Sequence, residues 1–232
     1  MPETSSRRVP TARRSDSRRL AEHIFLTVRT RILAGEYPPG SALSVEDLGA
    51  EFDTSRQPVM DAMRRLAGAW LVDIIPQVGC RVAKYSLQES VDLIHVTAQF
   101  EGEVAALAAR RGTDEQMEQL RLCNERMQQT SDSADLIPQA REMHELILAA
   151  AHSEGVARAS AQLWEFGHFG WTSAVQDISP VYIADPAYSR ANMGALIAAV
   201  TSRQTRLARV CAIQWLTGAL LAAQIDLPPD LA

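Results

Sequence analysis

Lysine is almost missing from this chain of 232 residues: among 23 Lys and Arg residues, only Lys84 is a lysine. Arginine carries the positive charge, a bias that a GC-rich genome produces as readily as function does. Cysteine is scarce too. Cys80, Cys123 and Cys211 are odd in number and far apart, which argues against a disulfide framework and a cysteine zinc site and suits a reducing cytoplasm. No apolar run approaches the ~20 residues of a membrane span, and the basic N-terminus is not followed by the apolar stretch of a secretory leader. There is no G-x-S-x-G, H-E-x-x-H or P-loop. Cys123 and Cys211 lie in apolar helical contexts, where packing is the commoner role. Glu101 and Glu103 are too close in sequence to share a helical face. The expectation is a protein that is not an enzyme; a scaffold without any ligand stays open as another class.

What is present is unevenly spread. Hydrophobic residues make up 47% of the chain, enough for a sizeable core. Residues 1–84 hold 13 Lys and Arg against 10 Asp and Glu, whereas residues 85–232 hold 10 against 18. A basic front and an acidic back predict that only the front meets a polyanion.

The front is organised around Thr54–Leu66. Ser55 is placed to cap a helix starting at Arg56, and Pro58 falls in its first turn, where a missing N–H costs little. Val59, Ala62, Met63 and Leu66 repeat at helical spacing and predict a buried back. Arg56, Gln57, Met60, Asp61 and Arg64 form the other face, either a solvated surface or a front that enters a major groove. Residues 1–17 lack apolar periodicity and read as a disordered basic arm in which Arg7, Arg8, Arg13 and Arg14 can touch phosphates. From Arg18, the positions Leu20, Ile24, Val28, Ile32 and Leu33 predict a helix ending near Gly35. Tyr37–Gly40 is a turn, Leu43 an anchor, and Ser44 the cap of a short helix containing Leu48 and Phe52. Two short helices joined by a tight turn make a helix-turn-helix. Leu71–Ile75 and Cys80–Lys84 then predict a β-hairpin, a wing on which Gln77 and Arg81 can reach the minor groove or a phosphate.

The turn with Tyr37, Pro38, Pro39, Gly40 and Leu43, then Leu48 and Gly49, then Ser55, Arg56, Gln57, Pro58 and Val59, then Arg65, Leu66, Leu71, Val72 and Gly79 together resemble the winged-helix domain of GntR-family bacterial transcription regulators. The resemblance covers residues 18–84 and implies DNA contacts at Ser44, Ser55, Arg56, Gln57, Met60, Arg64, Gln77, Gly79 and Arg81. Arg56 fits the family's first reading arginine. Met60 departs from its second, Glu46 stands where the family often has arginine, and Gln57 where threonine is common. A glutamine can read an adenine edge, so the implied operator differs from the family's commonest half-site.

From Leu87 the pattern is helical to the end. Ser86 with Glu89 forms a capping box, and turns are expected at 112–113, 152–155 and 176–185. Phe100, Glu101, Ala105, Leu107, Ala108 and Ala109, then Met143 and His144, then Ala195–Ala199 resemble the all-α FCD domain of the FadR-like branch of GntR regulators. Many members of that branch hold a divalent metal with one Asp and three His. His144 matches one ligand; Ala140, Met193 and Trp215 stand at or beside the others. One imidazole cannot hold such a metal, and Asp135 is out of helical register with it, so no metal and no cofactor is expected. Thr97 replaces the arginine that meets an effector carboxylate, which favours an apolar or weakly polar effector over a small carboxylate. The expected contacts are Thr97, Glu101, His144, Trp164, His168, Met193 and Trp215. Trp164, His168 and Trp171 share a helical face and form either an aromatic pocket wall or core and dimer interface. His144 is either a polar contact or a hydrogen-bonded core histidine. His95 and His152 read as surface or helix-end residues.

The expected protein is mostly α: a disordered arm over 1–17, an N-terminal winged helix-turn-helix over 18–84, and an all-α antiparallel helical bundle over 85–227. The expected function is that of a cytoplasmic homodimeric repressor on a near-palindromic DNA operator, modulated by a small-molecule effector in the bundle. A metal- or carboxylate-responsive regulator with non-standard ligands and a ligand-independent DNA-binding protein are the alternatives.

Overall fold

The structure is a computed structural model and describes residues 11–130, 133–175 and 185–222. It divides into two compact units, Met1–Lys84 and Tyr85–Ala232.

The first unit opens with α1 (Thr11–Leu33). This helix starts seven residues before the expected Arg18, so the disordered arm is corrected over residues 11–17. The cause is local: Ala12, Arg13 and Arg14 are strong helix formers and propagate a helix anchored further on by Ala21, Ile24, Val28 and Ile32, all buried. Arg7 and Arg8 lie outside the described residues, as do the side chains of Arg13 and Arg14. The helix stops where Gly35 takes φ +77° and the N–H groups of Gly35 and Glu36 donate back to Ile32 and Arg31 carbonyls.

The Pro38–Pro39 turn delivers the chain into β1 (Ala42–Leu43), a strand not expected from the sequence. Then follow α2 (Val45–Glu51), α3 (Arg56–Gly68), β2 (Val72–Ile75) and β3 (Gly79–Val82). The sheet order is β1-β3-β2, antiparallel throughout, with Leu43 opposite Cys80 and Asp73 opposite Arg81. Val59, Ala62, Met63 and Leu66 are fully buried, as their spacing predicts; burying a Val, Leu or Met side chain contributes about 1.5–3 kcal/mol. Arg65 fixes α3 against α1 by bonding Glu22 and lying 4.2 Å over the Phe25 ring.

The second unit contains α4 (Leu87–Arg111), α5 (Asp114–Gln129), α6 (Ser133–Ala150), α7 (Glu154–Val175), α8 (Pro186–Thr201) and α9 (Thr205–Ala222). Capping boxes at Ser86/Glu89 and Thr113/Gln116 start α4 and α5. Most of the expected 176–185 turn lies outside the described residues; Asp185 at its end caps α8 by accepting from the Ala187 and Tyr188 N–H groups. Helix α4 runs through the centre and packs on α6, α7, α8 and α9. Gly102 lets α9 approach: a Cβ there would lie 2.9 Å from Ile213. The core is apolar, built on Leu120, Met127, Leu136, Met143, Met193, Leu196 and Trp215.

Candidate DNA-reading face and a buried polar cluster

Ser44 caps α2, its hydroxyl oxygen accepting from the Asp47 N–H at 3.0 Å. Ser55 occupies the N-cap position of α3 in extended backbone, but its side chain makes no cap bond. The expected cap is corrected. A capping hydroxyl takes its proton from the second or third helical residue, and the third here is Pro58, which has no N–H. Ser55, Arg56, Gln57 and Arg64 are exposed on one side of α3, while Met60 is half-buried.

The side chains on this candidate face are already paired. Arg56 donates to Glu46 at 2.7 Å, across the turn between α2 and α3. One oxygen of Asp61 accepts from Gln57 Nε2 at 2.9 Å and from Arg64 Nη1 at 2.6 Å. On the wing, Arg81 donates to Asp73 at 3.2 Å, its neighbour across the strands. Between α2 and the start of α3 lies a groove of about 510 Å³ lined by Val45, Glu46, Gly49, Ala50, Asp53, Thr54, Ser55 and Arg56. The turn is tight: Asp53 takes φ +46°, and a Cβ on Gly49 would stand 3.2 Å from the Thr54 carbonyl. At the wing tip, Pro76 followed by Gln77 at φ +63°, with Val78 N–H donating to Ile75 O, follows the pattern of a type II turn. Gln77 and Val78 are exposed there, and Gly79 at φ +135° enters β3. Glu46, Asp61 and Asp73 as partners were not identified from sequence. The Asp73–Arg81 pair was readable once a hairpin register was assumed; the Glu46–Arg56 pair needs the packing of two helices.

In the second unit, Glu101 of α4, His144 of α6 and Ser160 of α7 meet. Ser160 Oγ donates to Glu101 at 2.5 Å, and His144 Nε2 lies 3.1 Å from both the other Glu101 oxygen and Ser160 Oγ. Glu101 is 5% exposed and Ser160 fully buried. His144 therefore sits in a hydrogen-bonded buried cluster, with the Trp164 ring 4.6 Å from its own and Trp215 a further 5.9 Å on. The serine contacts His144 Nε2 and the carboxylate at once, whereas in a nucleophilic triad serine and carboxylate meet opposite nitrogens of the ring. Ser160 was missed from the sequence; its one signal is that it stands one turn before Trp164 on the face that also carries His168.

Thr97, one turn before Glu101, is buried, and its hydroxyl has no hydrogen-bond partner among the described residues. His168 is half-buried, and burial, with Arg141 adding to it, holds its imidazole below the usual range. Met193 and Trp215 are core residues packed in one cluster with Ala140 and Met143. Trp171 and Phe169 are buried, Trp171 against Val91, Ile94 and Leu220. Tyr85 stands edge-on to Phe166 at 5.0 Å. The Asp135 side chain lies outside the described residues. Among the described residues, no three His, Cys, Asp or Glu side chains converge as metal ligands would. His95 bonds its own helix at Val91 O, and His152, at φ +48° beyond the end of α6, meets Gln116.

The fold is that of a winged helix-turn-helix protein with an all-α second domain. Residues 20–82 match the profile described as "Bacterial regulatory proteins, gntR family", and residues 92–217 match that of the FCD domain. The chain belongs to the GntR family of bacterial regulatory proteins, with an FCD domain following its winged helix. It is 31% identical over 88 residues to the HTH-type transcriptional repressor GlaR of Escherichia coli (strain K12), a match covering 38% of this chain and 40% of that protein. It is 33% identical over 99 residues to the HTH-type transcriptional repressor RspR of the same organism, covering 43% of each. The chain thus spans about two fifths of the length of these curated relatives. Among solved structures, E. coli McbR/YncC shares the fold with TM-score 0.63 at 18% identity, over 88% of this chain and 97% of that one. No described helix is long and apolar enough to cross a membrane.

Proposed function

We propose that the protein is a cytoplasmic DNA-binding transcription regulator, a repressor, and not an enzyme. The observation that carries this reading is the architecture of α3: a fully buried back of Val59, Ala62, Met63 and Leu66, with Arg56, Gln57 and Arg64 on its exposed front beside the Gln77–Arg81 wing. A helix so mounted can enter a major groove, with Arg56 and Gln57 reading base edges and Ser44, Ser55, Gly79 and Arg81 meeting the backbone. The family membership and the repressors it resembles support the same reading. The protein acts as a homodimer on a near-palindromic operator, the dimer's two-fold axis matching that of the site.

The bundle, residues 85–227, is the effector-binding and dimerisation domain. Thr97, Glu101, His144, Trp164 and His168 are the proposed contacts, with Met193 and Trp215 as apolar lining. With aromatic rings predominating and the carboxylate of Glu101 already bonded, the effector is apolar or weakly polar. An effector that binds one conformation of the bundle more tightly shifts the populations and so changes operator affinity.

The direct experiment is a mobility-shift or anisotropy assay on the duplex upstream of the protein's own gene, repeated with candidate metabolites. Arg56→Ala is expected to weaken binding by about 1–3 kcal/mol, the worth of one good base contact. Unchanged affinity at physiological salt refutes the role of Arg56.

A further inference from the structure

Residues 44–66, the helix-turn-helix proper, hold five acids (Glu46, Asp47, Glu51, Asp53, Asp61) against three arginines, Arg56, Arg64 and Arg65. A surface that approaches a polyanion carries an excess of negative charge. Arg65 is committed to Glu22 and Phe25 of α1. The two remaining arginines are each held by an acid of the reading face itself: Arg56 by Glu46, and Arg64 by Asp61, which also holds Gln57.

We propose that Glu46 and Asp61 determine which DNA sequence this protein prefers, as positioning residues: Glu46 sets the pose of Arg56, and Asp61 sets those of Gln57 and Arg64. The inference rests on the DNA-binding reading above. Arg56 has a long, flexible stem, and an anchored guanidinium explores fewer directions than a free one. The Glu46 bond engages one nitrogen, Nη1, and leaves the other donors of the fork for a base. The Asp61 bond engages Gln57 Nε2 and leaves the second amide hydrogen and the carbonyl oxygen, the pair that an adenine edge requires. Gln57, Asp61 and Arg64 follow one another at i, i+4 and i+7, so one carboxylate can order both neighbours on the same face.

The acids also act by subtraction. An unpaired arginine binds any phosphate and releases counterions wherever it lands. An arginine already held by a carboxylate gains less from a random phosphate. It gains in full only where a base edge completes its remaining donors. Glu46 and Asp61 thus lower affinity for random DNA more than for the preferred site. Both are exposed, at 72% and 41% of their side chains, so substitution leaves the core intact.

The test is in-vitro selection from a random duplex pool with wild type, Glu46→Gln and Asp61→Asn, together with titration of one random-sequence duplex over a range of salt. Glu46→Gln is expected to bind the random duplex about 3- to 10-fold more tightly at low salt, with a log–log salt slope steeper by about 0.9, as one more phosphate contact demands. Its selected motif changes at the position read by Arg56. Asp61→Asn changes the motif at the positions read by Gln57 and Arg64. In an Arg56→Ala background, Glu46→Gln leaves the selected motif unchanged, because Glu46 sets the motif through that arginine, and only the affinity gain from removing one negative charge remains. The proposal is overturned if both variants select the wild-type motif, or if Glu46→Gln still changes the motif without Arg56. A wild type that enriches no motif from the pool overturns it together with the DNA-binding reading.

Discussion

Replacing Ser160 with alanine removes one hydroxyl from the cluster that ties α4, α6 and α7 together. Ser160 Oγ donates to Glu101 at 2.5 Å inside the bundle, and Glu101 is 5% exposed, so water does not take its place. A hydrogen bond to a charged acceptor contributes about 1.5–3 kcal/mol. At about 2–4 °C per kcal/mol for a domain of this size, Ser160→Ala lowers Tm by about 3–12 °C, read by circular dichroism at 222 nm. His144→Phe keeps a ring against Trp164, which stands 4.6 Å away, and removes the other partner of Glu101. Once both partners are gone the carboxylate is buried without the two bonds it makes to described residues. The double variant therefore loses more than the sum of the singles, with a coupling of about 0.5–3 kcal/mol. Adding Glu101→Met to that pair removes the stranded polar group and recovers much of the loss, because an apolar side chain there needs no hydrogen-bond partner. A Ser160→Ala change below about 1 °C, or strict additivity in the double variant, refutes the cluster as a cooperative unit.

A Cβ at Gly218 would fall 1.8 Å from the Tyr188 hydroxyl oxygen, which donates to Gln214 O at 2.7 Å. Gly218→Ala therefore displaces a rigid phenol and lowers stability by about 1–3 kcal/mol, measured by urea denaturation; a neutral effect refutes the close approach of α8 and α9. His168 is held below the usual histidine range by burial, so the folded protein takes up this proton at lower pH than the unfolded chain does. Stability is then lost as pH falls through the ordinary histidine range and levels off below the folded value. His168→Asn gains in Tm relative to wild type between about pH 7.5 and pH 5.5, and parallel profiles refute the assignment. Protein purified without chelator is expected to carry substoichiometric zinc, manganese and nickel by elemental analysis. One equivalent lost on Ala substitution of His144 and Glu101 refutes the absence of a metal site and restores the metal-responsive alternative.

The winged helix was legible because its signals are local: helical spacing of apolar residues, the Pro38–Pro39–Gly40 break and an alternating hairpin. Strand β1 was not, since two residues carry no period; Leu43 appeared as an anchor because it is buried opposite Cys80. The early start of α1 was hidden because its first turns carry no apolar repeat, and it is the buried positions from Ala21 onward that anchor the helix. The Ser55 cap failed for a reason written in the chain, a proline three residues later. The partners of the side chains on the candidate face were harder. Glu46 was seen as a missing arginine, but nothing in a single helix says that it faces Arg56. Of the polar cluster, Glu101 and His144 were named and Ser160 was not, because a lone serine inside a helix has no pattern of its own.

The short β1 strand has a mechanical meaning. Its residues pair with β3, and the Gly40 and Val82 N–H groups bond Val82 and Ser41 carbonyls on either side. The segment from Ser41 to Val82 is thereby drawn shut at its mouth like a purse, with α2, α3 and the wing as its contents. Re-aiming α3 by itself would require opening that mouth and emptying a fully packed back. Any change in what α3 presents therefore has only two economical routes, moving the whole pouch or changing the few side chains that show on its outside.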